Sequence, residues 1–120
     1  QEEILGVSVE FHPLELVADQ IGEAGALTTL EAITQIGQRV RVAGVRQTWR
    51  RLFTSRETPF YFMTIEDLDG ILEVTIPSHV YQRGKKALSS RKPLFVEGYI
   101  ELQHNRPEPV LRAERLREIV

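Results

Sequence analysis

Trp49 stands in a run of cations. Arg46, Arg50, Arg51 and Arg56 surround it, and the first acid to follow them is Glu57. A tryptophan kept for packing alone belongs in an apolar core. Indole rings also stack on nucleobases, worth about 1–3 kcal/mol per base, while guanidinium groups track phosphates. Aromatic and cationic side chains at this spacing suit a single nucleic-acid strand held without reading its sequence. Tyr61, in "FYFMTIE", offers a second ring, and His104 and Arg106, in "QHNRPEP", offer phosphate contacts. Leu52 and Phe53 form an apolar pair within the same cationic run, and that pair suits a protein-docking tip. A purely structural role for Trp49 is equally open, as a plug folded back over one end of the domain.

The charge distribution agrees with a polyanionic partner for the later part of the chain. The 120 residues carry 15 Lys and Arg against 17 Asp and Glu, a net charge of −2. Seven acids fall in residues 1–37, which contain no Lys or Arg, so the remainder carries 17 − 7 = 10 acids against 15 bases. The acidic lead-in and the basic remainder (−7 and +5) are physically different objects. A second basic cluster, Arg83, Lys85 and Lys86 continued by Arg91 and Lys92, lies on a helical pattern and reads first as a solvated face.

Catalytic chemistry finds little support. Glu66, Asp67 and Asp69 surround a hairpin turn, where acids serve conformation more often than metal binding. No Ser, His and acid set has supporting spacing, and no glycine loop could cradle phosphates. With no cysteine and three scattered histidines, neither a disulfide nor a zinc site is expected, nor any cofactor. No apolar run reaches 18 residues and no basic-then-apolar leader opens the sequence, so a soluble, cytoplasmic protein without membrane contact is expected. Beginning at Gln1 rather than Met, the sequence reads as a piece of a longer chain.

The elements that would position these residues follow from periodicity. Residues 1–37 read as an acidic arm and linker: helix, a His12-Pro13 break, a helix from about Leu14, and a short helical turn capped at Thr28 or Thr29 and closed by Gly37. From Gln38 the period becomes two. "QRVRVAGVRQT" sets Arg39 and Arg41 outward and Val40 and Val42 inward, bending at Gly44. "FYFMTIE" is a second strand, Asp69-Gly70 a turn with positive φ at the glycine, and "ILEVTI" a third strand. Residues 77–90 form a helix with Val80, Tyr81 and Leu88 on its apolar side. "KPLFVEGYIEL" is a fourth strand with Leu94, Val96, Ile100 and Leu102 on one face, and "VLRAERLREI" a fifth.

Three strands, a helix and two strands is the order of the OB-fold, a five-stranded Greek-key barrel. The predicted fold is therefore all-β with a short helix: an OB-fold domain over residues 38–120, preceded by a helical or irregular arm over residues 1–37. OB barrels bind along strands two and three, flanked by the loops joining strands one to two and four to five. Here those loops are "WRRLFTSRETP" and "QHNRPEP". Phe95 and Tyr99, opposite in sense to Val96, either stack on a ligand or pack against the arm.

Two segments together resemble a known family. "EILGVSVEFHPLEL" resembles the segment before the OB domain of the C-family polymerases, the bacterial DNA polymerase III alpha subunit and its error-prone paralogue. "MTIEDLDGILEVTIP" and "PLFVEGYIE", with Val80-Tyr81 between, resemble that OB domain itself. The resemblance implies a module that contacts single-stranded template DNA and joins the polymerase to its partners, namely other domains of the parent and replisome subunits. It implies a nucleotidyltransferase parent whose active site is not in this chain. "LFTSRETP" replaces the glycine- and lysine-rich turn frequent in relatives, and "VEF" precedes "HPL", which leaves both paralogues open. Two other readings of the barrel stay open: a protein-interaction module, and the anticodon-binding domain of a class II aminoacyl-tRNA synthetase.

Overall fold

The computed structural model describes residues 13–53, 59–90, 92–102 and 107–119; along 49–53 and at 59 and 60 it describes the backbone. Five strands form, as the two-residue alternation predicts: β1 (Arg39–Phe53), β2 (Pro59–Glu66), β3 (Ile71–Pro77), β4 (Leu94–Glu101) and β5 (Val110–Glu118). They close into a barrel in the order β1-β2-β3-β5-β4, with β4 returning to β1. Every pairing is antiparallel except β3 with β5, where Val74 and Thr75 lie beside Leu111 and Arg112. This is the OB-fold topology that the strand order predicts.

Inward positions of all five strands supply the core. Val40, Val42, Met63, Ile65, Leu72, Val74, Ile76, Leu94, Val96, Ile100 and Leu111 are buried in one cluster. Leu102 is an exception to the expected face of β4: it lies past Glu101, where the strand ends, and is 59% exposed. Two glycines permit closure of so small a barrel. A Cβ at Gly98 would lie 1.9 Å from the Arg112 carbonyl oxygen, where β4 bulges against β5. One at Gly44 would meet the Ile65 Cβ at 2.9 Å, so both sites of predicted curvature are sites of close backbone approach.

The helix between β3 and β4 is α3 (Ser78–Ser89), started by Pro77 at the N-cap. Val80, Ala87 and Leu88 enter the core, and Gly84 lies against Leu116 of β5. The β2–β3 turn forms differently from expectation. Positive φ occurs at Gly25 and Gly37 and not at Gly70. Instead the Asp67 carboxylate accepts from the amides of Asp69 and Gly70 at 2.9 and 3.0 Å, so a side chain shapes the turn.

The arm is anchored from Leu14 onward. A 3₁₀ turn (Pro13–Val17) leads into α1 (Ala18–Ala24), which ends at Gly25 with φ 68°. Helix α2 (Thr29–Ala32) begins with a capping box between Thr28 and Glu31. Leu14 is buried with Ala43, Phe95 and Ile119, and Val17 and Ile21 pack against them. The arm therefore covers the outer side of β1 and β4. Each fully buried side chain of this size contributes about 1.5–3 kcal/mol, enough to hold so short a helix that would not persist alone.

Candidate nucleic-acid interface

The cationic run around Trp49 belongs to a strand. β1 continues past Gly44 to Phe53 and pairs from Val45 onward with β2. A register shift falls between Arg46 and Thr48. Beyond it Trp49 stands opposite Met63, Arg50 opposite Phe62, Arg51 opposite Tyr61, Leu52 opposite Phe60 and Phe53 opposite Pro59. The expected loop from Trp49 to Pro59 is thus corrected to a hairpin wing. Aromatic residues favour strands, and facing aromatic positions favour pairing, which extends the ladder. The connection shortens to residues 54–58, so Arg56 lies outside the described residues, as do His104 and Arg106. No position opposite residues 48–53 holds a carboxylate: the partners are Thr64, Met63, Phe62, Tyr61, Phe60 and Pro59.

Two expected site residues are engaged by the fold. The Arg46 guanidinium donates to the carbonyl oxygen of Leu88 in the last turn of α3, where a cation complements the helix dipole. Tyr61 is 6% exposed, and its ring lies 3.8 Å from that of Tyr81 at 9°. The expectation that Tyr61 meets a base is corrected accordingly. The alternation that buries Met63 and Ile65 buries Tyr61 as well. The outward ring on β2 is the half-buried Phe62, which the same alternation could have identified. Beside it the Thr48 hydroxyl donates to that of Thr64 at 2.7 Å.

The outer face of β2 and β3 is not uniformly suited to phosphate. Thr64, Ile71, Glu73, Glu108 and Pro109 border a groove of about 460 Å³ with Ile33 at one side. Its described lining holds two carboxylates and no cation. By contrast, no position facing residues 48–53 of β1 is acidic. On α3 the Lys85 ammonium sits 5.7 Å from the centre of the Tyr81 ring, and Lys86 is exposed.

On the opposite side of β1, arginines meet acids. Arg41 bonds Glu97 at 2.7 Å and reaches the Ala24 carbonyl at 2.6 Å. Arg39 bonds Glu114 at 2.6 Å and lies 3.6 Å from Glu97. Burial pushes the Glu97 carboxyl upward, but the Arg41 hydrogen bond and the charges of Arg41, Arg115 and Arg39 outweigh it and hold the group below its ordinary value. Phe95 packs against the arm with the Arg117 guanidinium 5.0 Å from its ring centre, and Tyr99 lies under Arg39 at 5.9 Å. Phe95 thus fills the second role open to these rings, packing against the arm, while Tyr99 is engaged by Arg39.

Asp67 also ties the arm to the barrel. Its carboxylate accepts from the Thr29 amide at 2.7 Å and the Thr29 hydroxyl at 2.9 Å, besides the two turn amides. Of the turn acids, Asp67 thus serves conformation. Nothing in the local pattern of either residue marks this 38-residue separation. Among the described residues no group of three or more His, Asp or Glu could hold a metal ion, and no helix is long and apolar enough to cross a membrane.

No family model matches the chain. Relatives among curated proteins do. An error-prone DNA polymerase of Xanthomonas campestris pv. campestris is 33% identical over 95 residues, 78% of this chain. One of Rhodopseudomonas palustris is 32% identical over 114 residues, 92% of this chain. One of Symbiobacterium thermophilum is 32% identical over 102 residues, 82% of this chain. This chain spans 9% of the length of each of these relatives. Among solved structures, asparaginyl-tRNA synthetase from Pyrococcus horikoshii superposes with a TM-score of 0.61 at 22% identity, over 78% of this chain and 22% of that one. A chain of the S. pombe Stn1-ten1 complex gives 0.51 at 20% identity, over 67% of this chain and 57% of that one. The two structures share the fold.

Proposed function

We propose that this chain, which belongs with the error-prone DNA polymerases as an OB-fold segment, binds single-stranded DNA and holds template near the polymerase. The observation that carries the reading is the hairpin wing. Arg50 and Arg51 follow Trp49 on the stretch of β1 from 48 to 53, whose partner positions on β2 are aromatic, aliphatic or hydroxyl-bearing and none acidic. Each arginine offers phosphate a bidentate guanidinium, and the indole offers a base a stacking face. Arg56, His104 and Arg106 would extend the contact along the two connections that flank an OB binding face. The chain itself catalyses nothing in this reading, needs no cofactor, and leaves nucleotide addition to the rest of the parent protein. Other domains of that parent and replisome subunits are its protein neighbours, in the cytoplasm.

Leu52 and Phe53 share the wing, so docking of a protein partner there is the competing use. A fluorescence-anisotropy titration of a labelled single-stranded DNA 20-mer, repeated at several salt concentrations, separates the two. Contact with four phosphates gives a log–log salt slope near −3, at about −0.7 per phosphate. Absence of binding at low salt, with capture of other polymerase domains that is lost on replacing Leu52 and Phe53 by Ala, would establish the docking role instead. Preference for a tRNA anticodon stem-loop over the DNA strand would point to the anticodon-binding use of the same fold.

A further inference from the structure

Two exposed arginines far from the wing in sequence make no close contact with an acid; Arg115 stands across the ladder from Glu97, but that carboxylate is already held by Arg41 at 2.7 Å and by Arg39 at 3.6 Å. Arg83 on α3 and Arg115 on β5 enter no ion pair or hydrogen bond among the described residues. They border one groove of about 580 Å³, together with Arg39, His79 and Glu114. Counting the charged side chains in that lining, three arginines against one glutamate leave 3 − 1 = +2 with His79 neutral. Glu114 is already bonded to Arg39 at 2.6 Å, so the excess resides on Arg83 and Arg115. Like charges gathered in one concavity repel each other, and Glu97, which faces Arg115 but is shared with Arg41 and Arg39, offsets them only in part. Val80 and Leu116 form the floor, and an apolar floor beneath charged walls concentrates the field above it. α3 also begins at this groove with no acid in its first turn and no side-chain cap, which adds potential of the same sign.

We propose that this groove is a second phosphate-binding site, taking phosphodiester groups of a nucleic-acid strand beyond the stretch held by the β1–β2 wing. The inference rests on the nucleic-acid reading above. It favours phosphate over a protein partner because paired guanidinium forks match phosphate oxygens. The groove lacks the exposed aromatic or aliphatic anchor on which protein interfaces depend, since its two aliphatic residues are the buried Val80 of α3 and the half-buried Leu116.

The test titrates the whole chain with the labelled 20-mer at several salt concentrations, comparing wild type, the Arg83→Ser plus Arg115→Ser variant, and Glu114→Gln. The double variant is expected to bind about three- to ten-fold more weakly at low salt, with a salt slope shallower by about 1.4, two phosphates at about 0.7 each. Glu114→Gln, which removes the groove's carboxylate, is expected to bind more tightly, a gain that misfolding cannot produce. Unchanged affinity and slope in the double variant overturn the groove and leave the wing standing. Failure of wild type to bind at low salt overturns the nucleic-acid reading and the groove with it. Displacement of the strand by polyglutamate of equal charge as effectively as by unlabelled DNA overturns phosphate as the ligand and assigns the groove to acidic polypeptide.

Discussion

β1 uses arginine in two settings. In its first half Arg39 and Arg41 are answered by Glu114 and Glu97 at 2.6 and 2.7 Å, and the alternate positions Val40 and Val42 are buried. In its second half Arg50 and Arg51 stand opposite Phe62 and Tyr61, and no facing position from 48 to 53 is acidic. Residue type and strand are the same; the neighbouring strand differs. β4 and β5 supply carboxylates to the first half, while β2 supplies aromatic rings to the second. An arginine with a cross-strand acid holds the barrel together, and in the proposed reading an arginine opposite aromatic residues is left for a ligand. The role is set by the partner strand.

That contrast breaks most forcefully at Gly98. Any Cβ there collides with the Arg112 carbonyl, a backbone atom that cannot step aside. Gly98→Ala is expected to cost at least about 3 kcal/mol in denaturant unfolding, since β4 must leave β5 and the acids that serve the first half of β1 move with it. Next in size is Glu97→Gln, expected to cost about 2 kcal/mol by leaving Arg41 without its carboxylate in a half-buried setting. The same variant carries a pH signature. Glu97 is held below its ordinary value in the folded state, so its contribution is complete above about pH 4.3, the unfolded value, and fades as pH falls through the folded one. Wild type should therefore lose stability on the acid side faster than Glu97→Gln does.

The second half of β1 should respond in binding. Trp49→Ala is expected to weaken single-stranded DNA binding about five-fold or more, near 1 kcal/mol for one lost stack, with little change in melting temperature. A loss of stability of 2 kcal/mol or more with affinity intact would return Trp49 to the role of a plug. The smallest effect is expected at Arg39→Gln. That side chain is 52% exposed, and its ion pairs are screened, so the melting temperature should barely move. A loss as large as that of Glu97→Gln would show that the outer pairs matter as much as the inner one.

Much of the fold was legible because its signals are local. Period-two alternation placed five strands, Pro77 marked the start of α3, and Gly44 and Gly98 marked the tight approaches. Tyr61 was legible too, by the parity that puts Met63 and Ile65 in the core, although its chemistry suggested a surface role. The Trp49 segment was harder. Read alone, "WRRLFTSRETP" has the charge of a loop, and its pairing as strand depends on the facing "PFYF" and on the closure of the barrel.

By itself the sequence determined the order of elements, most inward residues of the strands and the partition of charge between an acidic lead-in and a basic remainder, since backbone periodicity and net charge are properties of neighbouring residues. Tertiary structure alone decided which arginines are neutralised. Arg41 and Glu97 lie 56 residues apart, and the Asp67 carboxylate that shapes its own turn also holds Thr29, 38 residues away. Partners so distant in sequence meet only where strand register brings them within hydrogen-bond reach, and register is settled by closing the barrel as a whole.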